Sequence, residues 1–385
     1  MTGGPPATEP AVKRTGFLEL FFDLVFVFAV TQLVTMLEAD HGPGGWFHVV
    51  LMAWMVWWAW SQFTWAGNAI DLDDRPTRVA VLGLTGVTLL FAAAIPAAFI
   101  GGGGWRFAVP YVTVRLGALA LYWAGLRHDP AHQAALRSYI PVAVISPVVI
   151  LAGAAAPPGV RQWVWLAAVV VDVASALVAG RGEFQISPAH FAERHALFVI
   201  IALGEAVIGV GATLAGLEVS PMVVGTTAAA FLIVASQWWG YFDWVQGAVE
   251  SRLASEQDLR RRAHLARDLF SFGHLPIVLG TVVLAAGLEH ALAHPDEPLD
   301  ATGRTMVGVG LVLFLVGFIA GNLRANGGLR PERVVALAVV LLGVVVVAPH
   351  VTALVLLWML AATLVLLAGT ETARRRSAAP GPVSH

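Results

Sequence analysis

The stretch FLELFFDLVFVFAVTQLVTMLE, Phe17 to Glu38, decides the fold class, because Glu19 and Asp23 are its only charged groups before the terminal Glu38. At 1.5 Å per residue a helix over this run covers about 30 Å, the thickness of a bilayer's hydrocarbon core. Comparable runs follow along the chain at Trp46–Gly67, Thr77–Ile100, Trp105–Leu126, Leu136–Ala156 and Arg161–Gly180. A second set lies at Phe191–Leu214, Pro221–Val245, His264–His290, Gly303–Leu323, Arg333–Ala348 and His350–Gly369. The last two are divided at Pro349, since Val334–Gly369 is too long for one crossing.

Composition agrees with that reading. Of the 385 residues 58% are hydrophobic and 12% charged, and the mean hydropathy is +0.75. Such a chain cannot wet the surface of a water-soluble domain. The prediction is an all-α integral membrane protein of twelve transmembrane helices. Basic residues support the even count: with a cytoplasmic N-terminus, all 23 except Arg106, Arg115, Arg161 and Arg304 fall on the cytoplasmic side. Both termini are therefore expected there, in a plasma membrane.

The longest polar stretch, Gln246–Arg262, is too short for a soluble catalytic domain. Residues 1–16 and 371–385 read as disordered cytoplasmic tails, and the start lacks the apolar core of a signal peptide. There is no cysteine, which excludes disulfides, thiolate metal sites and cysteine nucleophiles. The net charge of −2 points to no partner, and no nucleic-acid binding is expected. The lipid bilayer is the one partner that composition implies; self-association is left open, and no cofactor is specified.

An internal repeat organises the spans. Phe17-x-Glu19 recurs as Phe191-x-Glu193, Trp57-Trp58-x-Trp60-x-x-Phe63 as Trp238-Trp239-x-Tyr241-x-x-Trp244, and Ile95-Pro96 as Leu275-Pro276, all at similar offsets. These matches predict six-helix units at 17–180 and 191–370, joined by a cytoplasmic linker at 181–190. An even number of spans per unit makes the repeats parallel, an arrangement common in transporters. The interface between them is the first place to look for a site.

Charges in mid-span need a partner, water or a function. Arg115, Asp172 and Glu205 lie near the middles of the fourth, sixth and seventh spans. One cation faces two acids, so Arg115 neutralises Asp172 or Glu205 and one acid is left over. Glu19 and Asp23, one turn apart, share a face toward the cytoplasmic end, where Arg14 or Arg194 supplies a counter-charge. That set reads as a cytoplasmic gate or as a structural clasp. Ser61, Thr64, Asn68 and Asp71 form a stripe running into the acidic loop Asp71–Asp74, which suggests a wet path or simple interhelical hydrogen bonding. Arg267, Ser271 and His274 share a face in the ninth span, with Asp268 alongside and Pro276 expected to break the helix. His274 is a proton carrier by chemistry, but no His-x-x-x-His or Glu-x-x-His spacing supports a metal. The tryptophans at span ends read as an interfacial belt.

The first span, Phe17 to Ala29, resembles the first helix of the bacterial low temperature requirement A (LtrA) family. The likeness extends to Trp57-Trp58-Ala59-Trp60, to Glu193-Arg194-His195 through Leu203-Gly204-Glu205, and to Trp238 through Asp243. This resemblance implies a polytopic bacterial membrane protein. A fainter one, over one helix, is to potassium channels built from six-helix repeats: Glu19-x-Phe21-x-Asp23 and Val25-Phe26 match, while Phe22 stands where the motif has serine. It implies ion passage by analogy.

Three functions compete: a transporter or channel, a non-transporting scaffold for membrane adaptation, and an intramembrane enzyme. The first takes Glu205, Asp172, Arg115, Asn68, Thr64, Ser61 and His274 as its pathway, and Glu19, Asp23, Arg14 and Arg194 as its gate.

Overall fold

A computed structural model describes residues 15–70, 72, 74–127, 130–179 and 186–378, and these are helical with short connections. The first half holds α1 (Phe17–Ala39), α2 (Pro43–Ala69), α3 (Arg75–Ala94), α4 (Gly103–Leu126), α5 (Pro130–Ala143), α6 (Ile145–Ala155) and α7 (Pro158–Ala179). The second holds α8 (Pro188–Ala215), α9 (Pro221–Gly240), α10 (Gln246–Ser255), α11 (Leu259–Ala266), α12 (His274–Ala293), α13 (Ala301–Asn326), α14 (Pro331–Leu342) and α15 (Ala353–Ala378). Proline in the first turn opens α2, α3, α8, α9 and α14, where its missing N–H costs nothing.

Among the described residues ten helices, counting α9–α10 and α11–α12 as continuous rods, are long and apolar enough to cross a membrane. Two of the expected twelve spans fall outside that set. The tryptophan-rich α2 has 27 residues, about 40 Å, but its many indoles and polar groups lower its hydropathy. The expected span at Leu136–Ala156 is divided into α5 and α6 near Val144, and its apolar part runs only from Tyr139 to Ala155. Pro141 and Pro147 each remove a helical hydrogen bond there. Large apolar side chains such as Val79, Leu90, Ile208 and Leu366 remain exposed around the outside, as lipid contact requires.

Other expectations are corrected. Pro276 does not break its helix: a π-helical turn at Arg267–Phe272, with Gly273 N–H donating to Asp268 O, carries α11 into α12. A second π turn, Tyr241–Val245, joins α9 to α10, so the helix runs on into the polar stretch Gln246–Arg262. The corner at Pro349 does separate α14 from α15. Past residue 370, where the tail was expected to begin, α15 continues to Ala378, and Glu371 is buried against Arg333 at 2.6 Å. Lys13, Arg14, Asp71, Asp73, Arg181 and the outer tails lie outside the described residues.

Packing runs α1 on α3, α3 on α4, α6 on α7 and α2 on α7 in the first half. In the second it runs α8 on α12, α12 on α13, α14 on α15 and α9 on α15. Glycines close the tightest of these contacts. A Cβ at Gly280 would stand 2.6 Å from Gly310 O, and one at Gly310 2.6 Å from Leu284 N, so α12 and α13 meet backbone to backbone. The halves join where α1 and α2 pack on α8 and α12.

Candidate functional site

Among the described residues, three buried polar centres gather the expected site residues. The first ties α1, α2 and α8 together. Arg194 on α8 donates through Nη1 to Glu19 Oε1 and through Nη2 to Asp23 Oδ1, both at 2.6 Å. Trp60 Nε1 on α2 donates to the same Asp23 oxygen at 2.8 Å, and Gly16 N–H caps Glu19 Oε2 at 3.0 Å. His190 Nε2 stands 3.0 Å from Glu19 Oε2, and its Nδ1 stands 3.4 Å from Asn68 Oδ1. Asn68 Oδ1 also accepts from Ser187 N–H, which fixes the amide's orientation. Both ring nitrogens thus face acceptors. Gly67 makes room, since a Cβ there would stand 2.9 Å from Glu19 Oε1. Glu19 and Asp23 therefore share a face and meet Arg194, one of the two cations expected there, the other, Arg14, lying outside the described residues. Their side chains are almost fully buried and interlocked, which is the geometry of a clasp.

The second centre resolves which acid Arg115 holds. Its guanidinium grips Asp172 bidentately at 3.1 and 2.8 Å, and also donates to Tyr111 Oη at 3.0 Å and to Gln62 Oε1 at 2.6 Å. Glu205 lies elsewhere, on α8 beside Thr31 of α1 and near Glu289 of α12. It is the acid left over. Glu289, Glu38, His41 and His290 line a cavity of about 240 Å³ on that side of the bundle. Among the described residues no three His, Asp or Glu side chains gather closely enough to hold a metal.

The third centre lies at the junction of the halves. A cavity of about 60 Å³ is walled by Trp58, Ser61, Gln62 and Trp65 of α2, by α4, α5 and α7, and by Ala263, Arg267 and Ser271. Ser271 Oγ accepts from Ser61 Oγ at 3.1 Å and from Trp65 Nε1 at 3.0 Å, while Trp57 Nε1 donates to Ser271 O at 2.6 Å. Gln62 is buried, and its Nε2 has no hydrogen bond of good geometry. Behind the cavity, Tyr241 Oη meets His274 Nε2 at 2.8 Å, and His274 Nδ1 meets Leu269 O at 2.8 Å. The carbonyl fixes the Nδ1–H tautomer, so the tyrosine donates. His195 stands 5.2 Å from His274, ring to ring, with its Nε2 unpaired.

The expected pathway residues are therefore divided. Ser61 lines the cavity, and Arg115 with Asp172 reaches it through Gln62. Thr64 bonds only its own helix, at Trp60 O, and Asn68 belongs to the clasp. Arg267 and Ser271 share the cavity, but the π turn adds a residue to the helical turn and rotates His274 toward Tyr241. Trp57 and Trp60 are core donors rather than belt residues; among the described residues Trp105, Trp123, Trp163, Trp238, Trp239 and Trp358 are the exposed ones. Gln62, His190, His195, Tyr241 and Glu289 escaped the sequence reading. His195 lay within the quoted Glu193-Arg194-His195, and Tyr241 within the repeated aromatic motif, but neither spacing signals the contact that each makes with His274.

Comparison with known proteins places this geometry. The family model described as bacterial low temperature requirement A protein (LtrA) matches residues 14–369. A protein of Rhizobium meliloti (strain 1021), named as uncharacterized protein RA0937, is 35% identical over 298 residues, 74% of this chain and 71% of that protein. No solved structure matches. The match spans the clasp, the Arg115 centre and the junction cavity alike, and the chain belongs to the bacterial low temperature requirement A family.

Proposed function

We propose that this protein passes an ion or a small solute across the plasma membrane through a path between two parallel six-helix repeats, with both termini cytoplasmic. The observation that carries this reading is the junction cavity, in which the Gln62 Nε2, without a hydrogen bond of good geometry, and two serines face an interface between the halves. Tightly packed scaffolds rarely leave a buried donor without a partner. The pairings of the second half support the repeat, because α8 on α12, α12 on α13, α14 on α15 and α9 on α15 match the first half, helix for helix. With α2 and the divided α5–α6 counted, the spans number twelve.

The path runs from the cavity past His274 and His195, through an apolar pinch at Val30, Leu33, Val56, Phe198 and Val278, to Glu205 and the cavity beside Glu289. Phe198 and Glu205, seven residues apart, share one face of α8. The pinch is closed in this conformation, and opening requires α1 or α8 to move against α12. Glu205 is the polar step beyond it.

Flux into proteoliposomes under potassium, sodium and proton gradients tests the reading. Passage above empty liposomes, lost in folded Glu205→Gln, supports it. No passage under any gradient eliminates simple ions and leaves organic solutes to be assayed.

A further inference from the structure

The junction cavity has a definite chemical demand. Arg115 Nε donates to Gln62 Oε1 at 2.6 Å, and an arginine has no acceptor to offer, so the amide cannot be turned over. Its NH₂ group is then fixed on the other side, near the Tyr139 hydroxyl, with Nε2 buried and without a hydrogen bond of good geometry in a residue that lines the cavity. A buried donor without a well-placed acceptor is costly, and a ligand that supplies one recovers that cost.

Charge narrows the ligand further. Arg267 is the charged side chain in the wall, and its Nε and Nη2 hold Asp268 Oδ1 at 2.8 and 2.6 Å. Arg115 behind the wall is matched by Asp172. Asp268 also holds Arg324 at 2.9 Å, so the wall carries a positive excess that disfavours a cation, while the guanidinium forks of Arg267 and Arg115 are already engaged by carboxylates rather than free to take an anion. Shape narrows it again, because Trp58, Trp65, Tyr122 and Tyr139 supply aromatic surface while Ala118 and Ala176 leave the gap between them. Aromatic walls favour a flat partner. At roughly 10–15 Å³ for each water centre, about 60 Å³ accommodates a molecule of one ring.

We propose that this cavity binds a small, uncharged, planar apolar molecule carrying one hydrogen-bond acceptor, of the aromatic ketone class, with the Gln62 amide donating to its carbonyl oxygen. The proposal rests on the cavity being a solute site but not on transport through it.

Equilibrium dialysis against the full chain in lipid nanodiscs, with empty nanodiscs subtracted, tests the class with three probes of one ring each: acetophenone, toluene and benzyltrimethylammonium. Acetophenone binds saturably at one per chain, toluene about five- to tenfold more weakly, and the cation no more than empty nanodiscs do. Gln62→Leu removes the donor and brings acetophenone down to the affinity of toluene, with toluene unchanged. Because that variant also strips Arg115 of an acceptor, Ala176→Leu narrows the opposite wall without touching the arginine and weakens both neutral probes. Non-saturable acetophenone uptake, equal binding of acetophenone and toluene, or preferential binding of the cation overturns the inference. Acetophenone binding without any flux keeps it while removing transport; ion flux without acetophenone binding removes it alone.

Discussion

Arg194 illustrates how one residue holds three helices. Its two terminal nitrogens serve Glu19 and Asp23, and its guanidinium lies over the Trp60 and Phe63 rings, 5.8 Å from each centroid. Arg194→Met strands two carboxylates in the core and should cost about 3–5 kcal/mol, read as a lowered thermal midpoint in detergent. Adding Glu19→Gln and Asp23→Asn should restore most of that loss, and an unrestored midpoint would mean that packing rather than charge is what Arg194 contributes. Arg194→Lys should fail as well, since a point charge cannot span two acids as a planar fork does. At the second centre, Asp172→Asn should destabilise more than the double variant Asp172→Asn with Arg115→Gln, which removes both charges; equal losses would show the pair to be uncoupled. Much of this was readable in the sequence, because a charge in an apolar span demands a partner. The identity of that partner was not, for Asp172 and Glu205 were equivalent until the helices were packed.

Elements show where local rules yield. Two of the three π turns among the described residues, Tyr241–Val245 and Arg267–Phe272, sit beside the Tyr241 and His274 pair, and each inserts one residue into a helix whose sequence otherwise reads as a regular α-helix. Arg267 and Ser271 keep the face expected of them, but the insertion turns His274 away to Tyr241, an effect no 3.6-residue periodicity reveals. Glycine at the α12–α13 contact is decisive in the other direction. Gly310→Val would place methyl groups against the Leu284 backbone, and should abolish monodisperse expression where Gly321→Val, which meets open space, leaves it intact. Caps follow their usual chemistry. Asp300 accepts from Gly303 N–H at 2.7 Å at the start of α13. Partial burial opposes its charge, but that N–H and the neighbouring His290 prevail and hold the carboxyl below its usual range. A lowered carboxyl stabilises fully above its unfolded pKa and loses the effect as pH falls through the lowered value. Asp300→Ala should thus cost about 1 kcal/mol at neutral pH, with the difference from wild type vanishing in strong acid.

At the scale of the whole molecule, the absence of cysteine makes topology directly measurable. With the proposed orientation, Glu297→Cys in the connection between α12 and α13 should react with an impermeant maleimide in intact cells, and Ser377→Cys only after lysis. Labelling of both from outside would refute the even number of spans. Hydropathy and the one-sided placement of Arg determined by themselves that this chain crosses a membrane many times as helices, because a bilayer core accepts little else. The sequence also marked Glu19, Asp23, Arg115, Asp172 and Glu205 as residues needing an explanation, since their desolvation is costly wherever they pack. Tertiary structure alone decided which charges meet, why α2 with its buried tryptophans belongs to the core, and where a cavity remains. Those outcomes depend on contacts between residues far apart in the chain, such as Trp57 with Ser271 and Arg194 with Glu19, and a local pattern carries no information about them.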